Sequence, residues 1–207
     1  MKNKLFIVDD HKMLLLGLQY YLNTNTFWDV TDVFESKKDC LKKLAELTKE
    51  NLPEIIIVDV QLTEENGFSL VQEISEKYQS IKCVMYSMYN TAGYIMQAKD
   101  CGAKGYISKV ANEEELVECL KIVQDGGVYI EEKLFNINKS LDTIEPLLAK
   151  REKRILEKIL QNKTNKEISE ELFLSIHTVE DYVSDIYDKC DVKNRTELVN
   201  KFNCIKP

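Results

Sequence analysis

The sequence predicts an α/β protein: a doubly wound parallel sheet of five strands, followed by a small all-α helix-turn-helix domain. Three observations predict it. Short apolar runs alternate with segments of helical period over residues 1–130, the runs are nearly all apolar, and beyond residue 147 only helical periods remain. Strand-helix alternation implies parallel strands joined by crossover helices on both sheet faces. Strands covered on both faces lose the polar alternation of a half-exposed sheet.

In chain order, the strand-like runs are 5–8, about 29–34, 55–58, 82–86 and 104–108. Between the first two, Leu14, Leu18 and Leu22 form an i, i+4, i+8 stripe, and Leu41, Leu44, Ala45 and Leu47 form the next. Phe68, Val71 and Ile74 give a third helix. Leu116, Leu120 and Val123 give another, opened by Asn112 as N-cap with Glu113, Glu114 and Glu115 in the first turn. Residues 131–147 lack a clear period, contain Asn, Ser, Asp and Pro, and read as a linker.

After the linker, Ile155, Ile159 and Leu160 mark one helix, and Thr164 with Glu167 forms a capping box for a second. Ser175 caps a third, carrying Val179, Val183 and Ile186, and Asn194 with Glu197 opens a last one with Leu198 and Phe202. Two short helices joined by Phe173-Leu174-Ser175 make the helix-turn-helix. The domains are therefore expected at 1–130 and 148–207.

Composition narrows the function. Residues 1–144 sum to the full net charge of -7, while 145–207 hold 12 basic and 12 acidic residues, a shift that supports two domains. No apolar stretch approaches the roughly 18 residues needed to span a bilayer, and the N-terminal run meets Asp9 too soon for a signal-peptide core. A cytoplasmic protein without membrane partners is expected. The six cysteines include no Cys-x-x-Cys pair, so Cys83, Cys101 and Cys119 read as small core residues rather than zinc ligands. With only His11 and His177, histidine chemistry has little material.

The chemistry lies just past the apolar runs. Asp9 and Asp10 follow the first, Asp59 the third, Ser87 the fourth and Lys109 the fifth. In an open parallel sheet these positions share the edge where ligands bind. A lone aspartate after a strand is most often a turn or cap, and a lone serine or lysine there signals nothing. Together they supply an oxygen-rich cage for Mg²⁺, a carboxylate nucleophile, and a cation and hydroxyl for phosphoryl oxygens.

These residues also carry a family resemblance. Phe6-Ile7-Val8-Asp9-Asp10-His11, Ile57-Val58-Asp59, Tyr86-Ser87-Met88 and Gly102-Ala103-Lys104-Gly105-Tyr106-Ile107-Ser108-Lys109 resemble the receiver domain, a flavodoxin-like fold, of two-component response regulators. Ile122 through Tyr129 resembles the end of the last receiver helix in the NarL/FixJ subfamily. Asn165-Lys166-Glu167-Ile168 through Lys193-Asn194-Arg195-Thr196-Glu197-Leu198-Val199 resembles that subfamily's LuxR-type output domain.

The resemblance implies that Asp59 accepts a phosphoryl group from a histidine kinase. It implies that Asp10, Asp59 and the backbone carbonyl of Gln61 bind Mg²⁺, with Asp9 helping through water. Ser87 and Tyr106 become the switch pair, and Lys109 steadies the phosphoryl group. Phosphorylation is then expected to remodel the surface around residues 88–110 and promote a homodimer. One loop departs from the family: after Asp59 the chain reads Val60-Gln61-Leu62-Thr63-Glu64-Glu65-Asn66-Gly67, keeping the glycine but adding two acids near the site.

The output helix departs too. With Val179, Val183 and Ile186 inward, Glu180, Asp181, Ser184, Asp185 and Asp188 point outward, where a reading helix meets a polyanion. Lys166, His177, Thr178, Lys193 and Arg195 remain as DNA contacts, and a carboxylate can accept from a cytosine amino group. Three outputs stand open: a DNA-binding transcriptional regulator, a regulator whose helix-turn-helix binds protein or has lost DNA, and an aspartyl-phosphate enzyme. The last needs a second aspartate two residues beyond its nucleophile, and Gln61 stands there. A non-enzymatic regulator is expected.

Overall fold

A computed structural model describes residues 3–63, 65–131 and 143–203. Most of the expected linker, together with Glu64 and Cys204, lies outside the described residues. The chain divides into two compact units, one of Met1–Tyr89 with Ala98–Glu131 and one of Asn90–Gln97 with Glu132–Pro207.

The first unit carries a parallel sheet in the order β2-β1-β3-β4-β5-β6. Its strands are β1 (Asn3–Val8), β2 (Trp28–Phe34), β3 (Ile55–Asp59), β4 (Lys82–Ser87), β5 (Gly105–Ser108) and β6 (Tyr129–Ile130). The helices between them are α1 (Lys12–Asn25), α2 (Lys37–Glu46), α3 (Gly67–Lys77) and α5 (Glu113–Gln124), and α4 (Ala92–Asp100), which follows β4 in the chain, lies largely in the segment assigned to the second unit. Both faces of the sheet are covered. Leu5, Ile7, Ile55, Ile57 and Val84 pack with Leu15, Leu18, Leu22, Leu116 and Leu120 in one core cluster. The alternate residues Phe6, Ile56, Val58 and Met85 are equally buried, which is why these strands read as unbroken apolar runs.

The sheet has six strands where five were expected. Gly126, at φ +91°, and Gly127 end α5, and the chain turns to pair Tyr129 with Gly105 and Ile130 with Tyr106. A two-residue strand is too short to leave a period in the sequence, so it reads as the tail of the preceding helix.

The strand order reverses between β1 and β3, the crevice where doubly wound sheets bind their ligands. Asp59 ends β3 and Ser87 ends β4, and register pairs Asp59 with Tyr86 and Ser87 with Ser108. The strand-end residues thus reach one edge because of register, not because of contacts in the flanking loops.

The second unit carries α6 (Lys150–Leu160), α7 (Asn165–Leu172), α8 (Ile176–Lys189) and α9 (Arg195–Asn203). Thr164 Oγ1 accepts from the Glu167 N–H while the Glu167 carboxylate accepts from Thr164 N–H, the expected capping box. Ser175 Oγ accepts from Thr178 N–H at 3.0 Å to start α8. Ile155, Leu156, Ile159, Ile168, Val179, Ile186, Leu198 and Phe202 form its buried interior. Phe173 takes the left-handed conformation at φ 54°, ending α7 and setting the turn into α8.

Sequence reading missed the tie between α6 and α8. Glu152 is almost wholly buried, and both its carboxylate oxygens accept from Lys189 Nζ, at 2.7 and 2.6 Å. Glu152 Oε2 also accepts from the Ala149 N–H, capping α6. Burial pushes this carboxyl up, but the Lys189 ammonium and the Ala149 N–H outweigh it and hold it below the usual glutamate range.

Candidate functional site

The acidic edge is a compact cluster. Ligand atoms of Asp9, Asp10, His11 and Asp59 all lie within 4.8 Å of one another. Asp9 and Asp59 are buried, Asp59 with 4% of its surface exposed. Lys109 Nζ sits between them, 2.6 Å from Asp9 Oδ2 and 2.7 Å from Asp59 Oδ2. Burial pushes the Asp59 carboxyl above the usual aspartate range, opposed by Lys109 and by a hydrogen bond from the Gln61 backbone. Two buried carboxylates therefore share one ammonium.

Asp10 holds the unfilled capacity. Its Oδ2 accepts from Thr63 Oγ1 at 2.6 Å, while its Oδ1 is buried and accepts no hydrogen bond. His11 Nδ1 lies 2.8 Å from that oxygen without hydrogen-bond alignment, and bonds Asp9 Oδ1 at 3.0 Å instead. An orphaned buried oxygen costs about 1–3 kcal/mol unless something fills it. Opposed oxygens of an octahedral Mg²⁺ stand about 4.2 Å apart, so the cluster's spread fits a hard divalent cation after slight contraction. His11 is a member that sequence reasoning set aside. Its adjacency to two aspartates was the available signal, although its side chain is 69% exposed.

Gly67 explains how Asp59 is placed. A Cβ on Gly67 would meet the Asp59 carbonyl oxygen at 1.8 Å, so only glycine lets the start of α3 lie against the end of β3. Gly67 N–H donates to the Val60 carbonyl at 2.9 Å, and Gln61 pairs with Asn66, closing the loop beneath Asp59. Glu65 in that loop lies 3.7 Å from Lys37 Nζ, so its charge is partly offset.

The switch candidates lie on the neighbouring strands. Ser87 is fully buried, and its Oγ accepts from Tyr89 N–H at 3.0 Å. Tyr106 has 2% of its surface exposed, with its ring inside, and its Oη donates to the Tyr89 carbonyl. The five cysteines among the described residues are buried free thiols, with Cys40 pushed up to about 12 chiefly by burial, so they are packing groups rather than ligands.

In the second unit, Glu180, Asp181, Ser184, Asp185 and Asp188 are all exposed on α8, opposite buried Val179 and Ile186. His177, Lys166 and Lys193 are exposed, and Thr178 is half-buried at the Ser175 cap. Arg195 differs from the others. Its guanidinium donates to Asn165 Oδ1 and to the Lys163 carbonyl, joining the start of α9 to the start of α7. That side chain is engaged within the fold.

No helix among the described residues is long and apolar enough to cross a membrane. Residues 5–121 match the family of the response regulator receiver domain, and residues 146–202 match that of bacterial regulatory proteins of the luxR family. The chain is 32% identical to the oxygen regulatory protein NreC of Staphylococcus carnosus, over 95% of this chain and 94% of that one. It is 30% identical to the response regulator protein VraR of Staphylococcus saprophyticus, with the same coverage. RcsB of Salmonella enterica serovar Typhimurium, solved bound to a promoter with the phosphomimetic BeF₃⁻, shares the fold with a TM-score of 0.67 at 20% identity, covering 97% of this chain and 98% of that one.

Proposed function

Since the chain belongs to the bacterial response regulators, with a receiver domain and a luxR-family DNA-binding domain, we propose that Asp59 accepts a phosphoryl group from a histidine kinase and thereby controls transcription. The observation that carries this reading is the Lys109 ammonium shared by buried Asp9 and Asp59 beside the orphaned Asp10 Oδ1. The domain limits that go with it are 1–130 for the receiver, 131–147 for the linker and 148–207 for the output.

Asp10, Asp59 and the Gln61 carbonyl would hold Mg²⁺, with Asp9 acting through water. The ion supplies positive charge for the phosphoryl oxygens. Asp59 attacks phosphorus as the kinase's phosphohistidine bond breaks, and Lys109 stays with the new phosphoryl oxygens. Ser87 Oγ gives up the Tyr89 N–H and turns to the phosphoryl group, with the Tyr106 ring, already buried in this structure, packed behind it. This two-state rearrangement remodels residues 88–110 and drives a homodimer, which matches DNA half-sites about one helical turn apart. In the cytoplasm, the kinase and DNA are its partners.

The test of the output is binding to mixed-sequence DNA, titrated with salt, with and without a phosphodonor. Affinity that falls steeply with salt is expected, and no binding at low salt overturns the DNA-binding reading. On the input side, Asp59→Asn is expected to stay monomeric with phosphodonor and magnesium. A variant that dimerises normally overturns the coupling.

A further inference from the structure

His11 is the N-cap residue of α1, yet its side chain makes no capping hydrogen bond to that helix. Its imidazole instead faces two carboxylates at once, with Nδ1 3.0 Å from Asp9 Oδ1 and 2.8 Å from Asp10 Oδ1. The His11 backbone N–H donates to the same Asp9 oxygen at 2.9 Å, which fixes the turn that carries the ring. Each aspartate gives its other oxygen to a different partner. Asp9 Oδ2 meets the Lys109 ammonium at 2.6 Å, and Asp10 Oδ2 accepts from Thr63 Oγ1 at 2.6 Å. A proton on Nδ1 can point at only one oxygen. The aligned bond goes to Asp9, which leaves the buried Asp10 Oδ1 beside the ring nitrogen without a hydrogen. A metal ion in place of that proton would serve all three atoms.

The spacing is that of metal ligands. Neighbouring donors on an octahedral ion with bonds of about 2.1 Å stand about 3.0 Å apart, and on a tetrahedral Zn²⁺ about 3.3 Å apart. The His11 contacts of 3.0 and 2.8 Å lie close to these edges, and Asp59 completes a group whose ligand atoms lie within 4.8 Å of one another. We propose that His11 Nδ1, Asp9 Oδ1 and Asp10 Oδ1 form a mixed nitrogen–oxygen subsite that takes a borderline divalent cation of the Zn²⁺ class. The inference rests on the reading of the acidic edge as a Mg²⁺ site, and adds to it a second class of ion chosen by the imidazole.

Ligand chemistry separates the two ions. Mg²⁺ is hard, takes oxygen donors and keeps several waters, so it gains nothing from the ring. A neutral imidazole suits zinc, nickel and copper, and carboxylates alone do not select them. Asp10 belongs to both ligand sets, so the two ions exclude each other. The Asp9 side chain is 2% exposed, whereas that of His11 is 69% exposed, which gives an ion from solvent an entry path along the ring. His11 thus sets which ion the edge holds and stands apart from the transfer to Asp59.

The test is calorimetric titration of full-length wild type, His11→Ala and His177→Ala with Zn²⁺ alone and, separately, with Mg²⁺ alone. His11→Ala is expected to bind Zn²⁺ roughly tenfold more weakly or worse, since even an outer-shell partner of a metal ligand is worth about 10–100-fold in affinity. Its Mg²⁺ affinity is expected to stay within about twofold of wild type, because that ion uses oxygens, and this retained binding also shows that the variant is folded. His177→Ala removes the only other imidazole of the chain and is expected to bind both ions as wild type does. Equal Zn²⁺ affinity in wild type and His11→Ala overturns the subsite. An equal loss in His177→Ala also overturns it, marking adventitious surface zinc only. Mg²⁺ affinity that falls as far as Zn²⁺ affinity in His11→Ala would make the ring a support for the carboxylates, and overturns its role as a ligand. Wild type that binds Zn²⁺ through His11 but takes no Mg²⁺ overturns instead the magnesium reading on which the selectivity rests.

Discussion

Lys109 Nζ stands 2.7 Å from Asp59 Oδ2, with 8% of the lysine side chain exposed, so the Asp59 carboxylate is built against a fixed cation. Lys109→Met removes the one ammonium between Asp9 and Asp59. Phosphorylation by a small donor should slow by about 10²–10³, the usual effect of losing a preorganised charge at a developing anion. Rates within twofold of wild type would remove Lys109 from the mechanism.

The pH dependence of stability follows from Asp59. Its folded pKa is raised above the ordinary 3.8, so the folded state binds more protons than the unfolded one between those values. The group's contribution is fully present below 3.8 and is lost as pH rises through the folded pKa. Asp59→Asn abolishes that loss. The difference in thermal midpoint, variant minus wild type and without divalent cations, should therefore grow as pH rises through this window. A constant difference would contradict the burial of the charge.

Gly67→Ala places a methyl group 1.8 Å from the Asp59 carbonyl oxygen, and backbone must move to admit it. Overpacking of this kind costs about 1–3 kcal/mol, and here the displaced backbone is that of Asp59 itself. Lower thermal stability together with slower phosphorylation is expected. A stable variant phosphorylated at the wild-type rate would show that the loop gives way freely.

Glu152 is buried, whereas Lys189 is 40% exposed, so solvent screens part of their attraction. Lys189→Met should destabilise the output unit by about 1–2 kcal/mol, less than the loss of a fully buried pair. Because Glu152 titrates below its usual range, its contribution is present above the ordinary 4.5 and is lost as pH falls through the folded pKa. The variant's deficit in thermal midpoint should accordingly shrink in acid.

On α8, Asp181 is exposed, opposite buried Val179, Val183 and Ile186, and the DNA-reading proposal puts its carboxylate toward the bases. A carboxylate accepts from the cytosine N4 amino group, and an asparagine amide pairs with adenine N6 and N7. Selection from a random pool should enrich cytosine at one position of each half-site. Asp181→Asn should shift that position to adenine. An unchanged consensus would exclude Asp181 from base contact.

Much of this was legible in the sequence because it depends on periods and strand ends. The apolar runs, the capping boxes at Asn112 and Thr164, and the convergence of Asp9, Asp10, Asp59, Ser87 and Lys109 are local patterns that parallel topology assembles. What was not legible depends on pairing between distant residues. Glu152 and Lys189 lie 37 residues apart, and Tyr89 and Gln61 lie 28 apart, with no period linking either pair. The bonds of Arg195 to Asn165 and to the Lys163 carbonyl are likewise invisible in the sequence, where the residue shows only its charge. β6 has two residues and no period of its own, so only its register against β5 reveals it.

The central claim is that Asp59 is the phosphoryl acceptor. The most direct measurement is the intact mass, followed by peptide mapping, of wild type and Asp59→Asn after incubation with acetyl phosphate and magnesium. One phosphoryl group on wild type, mapped to Asp59 and absent from the variant, is the predicted result. Equal phosphorylation of the Asp59→Asn protein, or none on wild type, would contradict it.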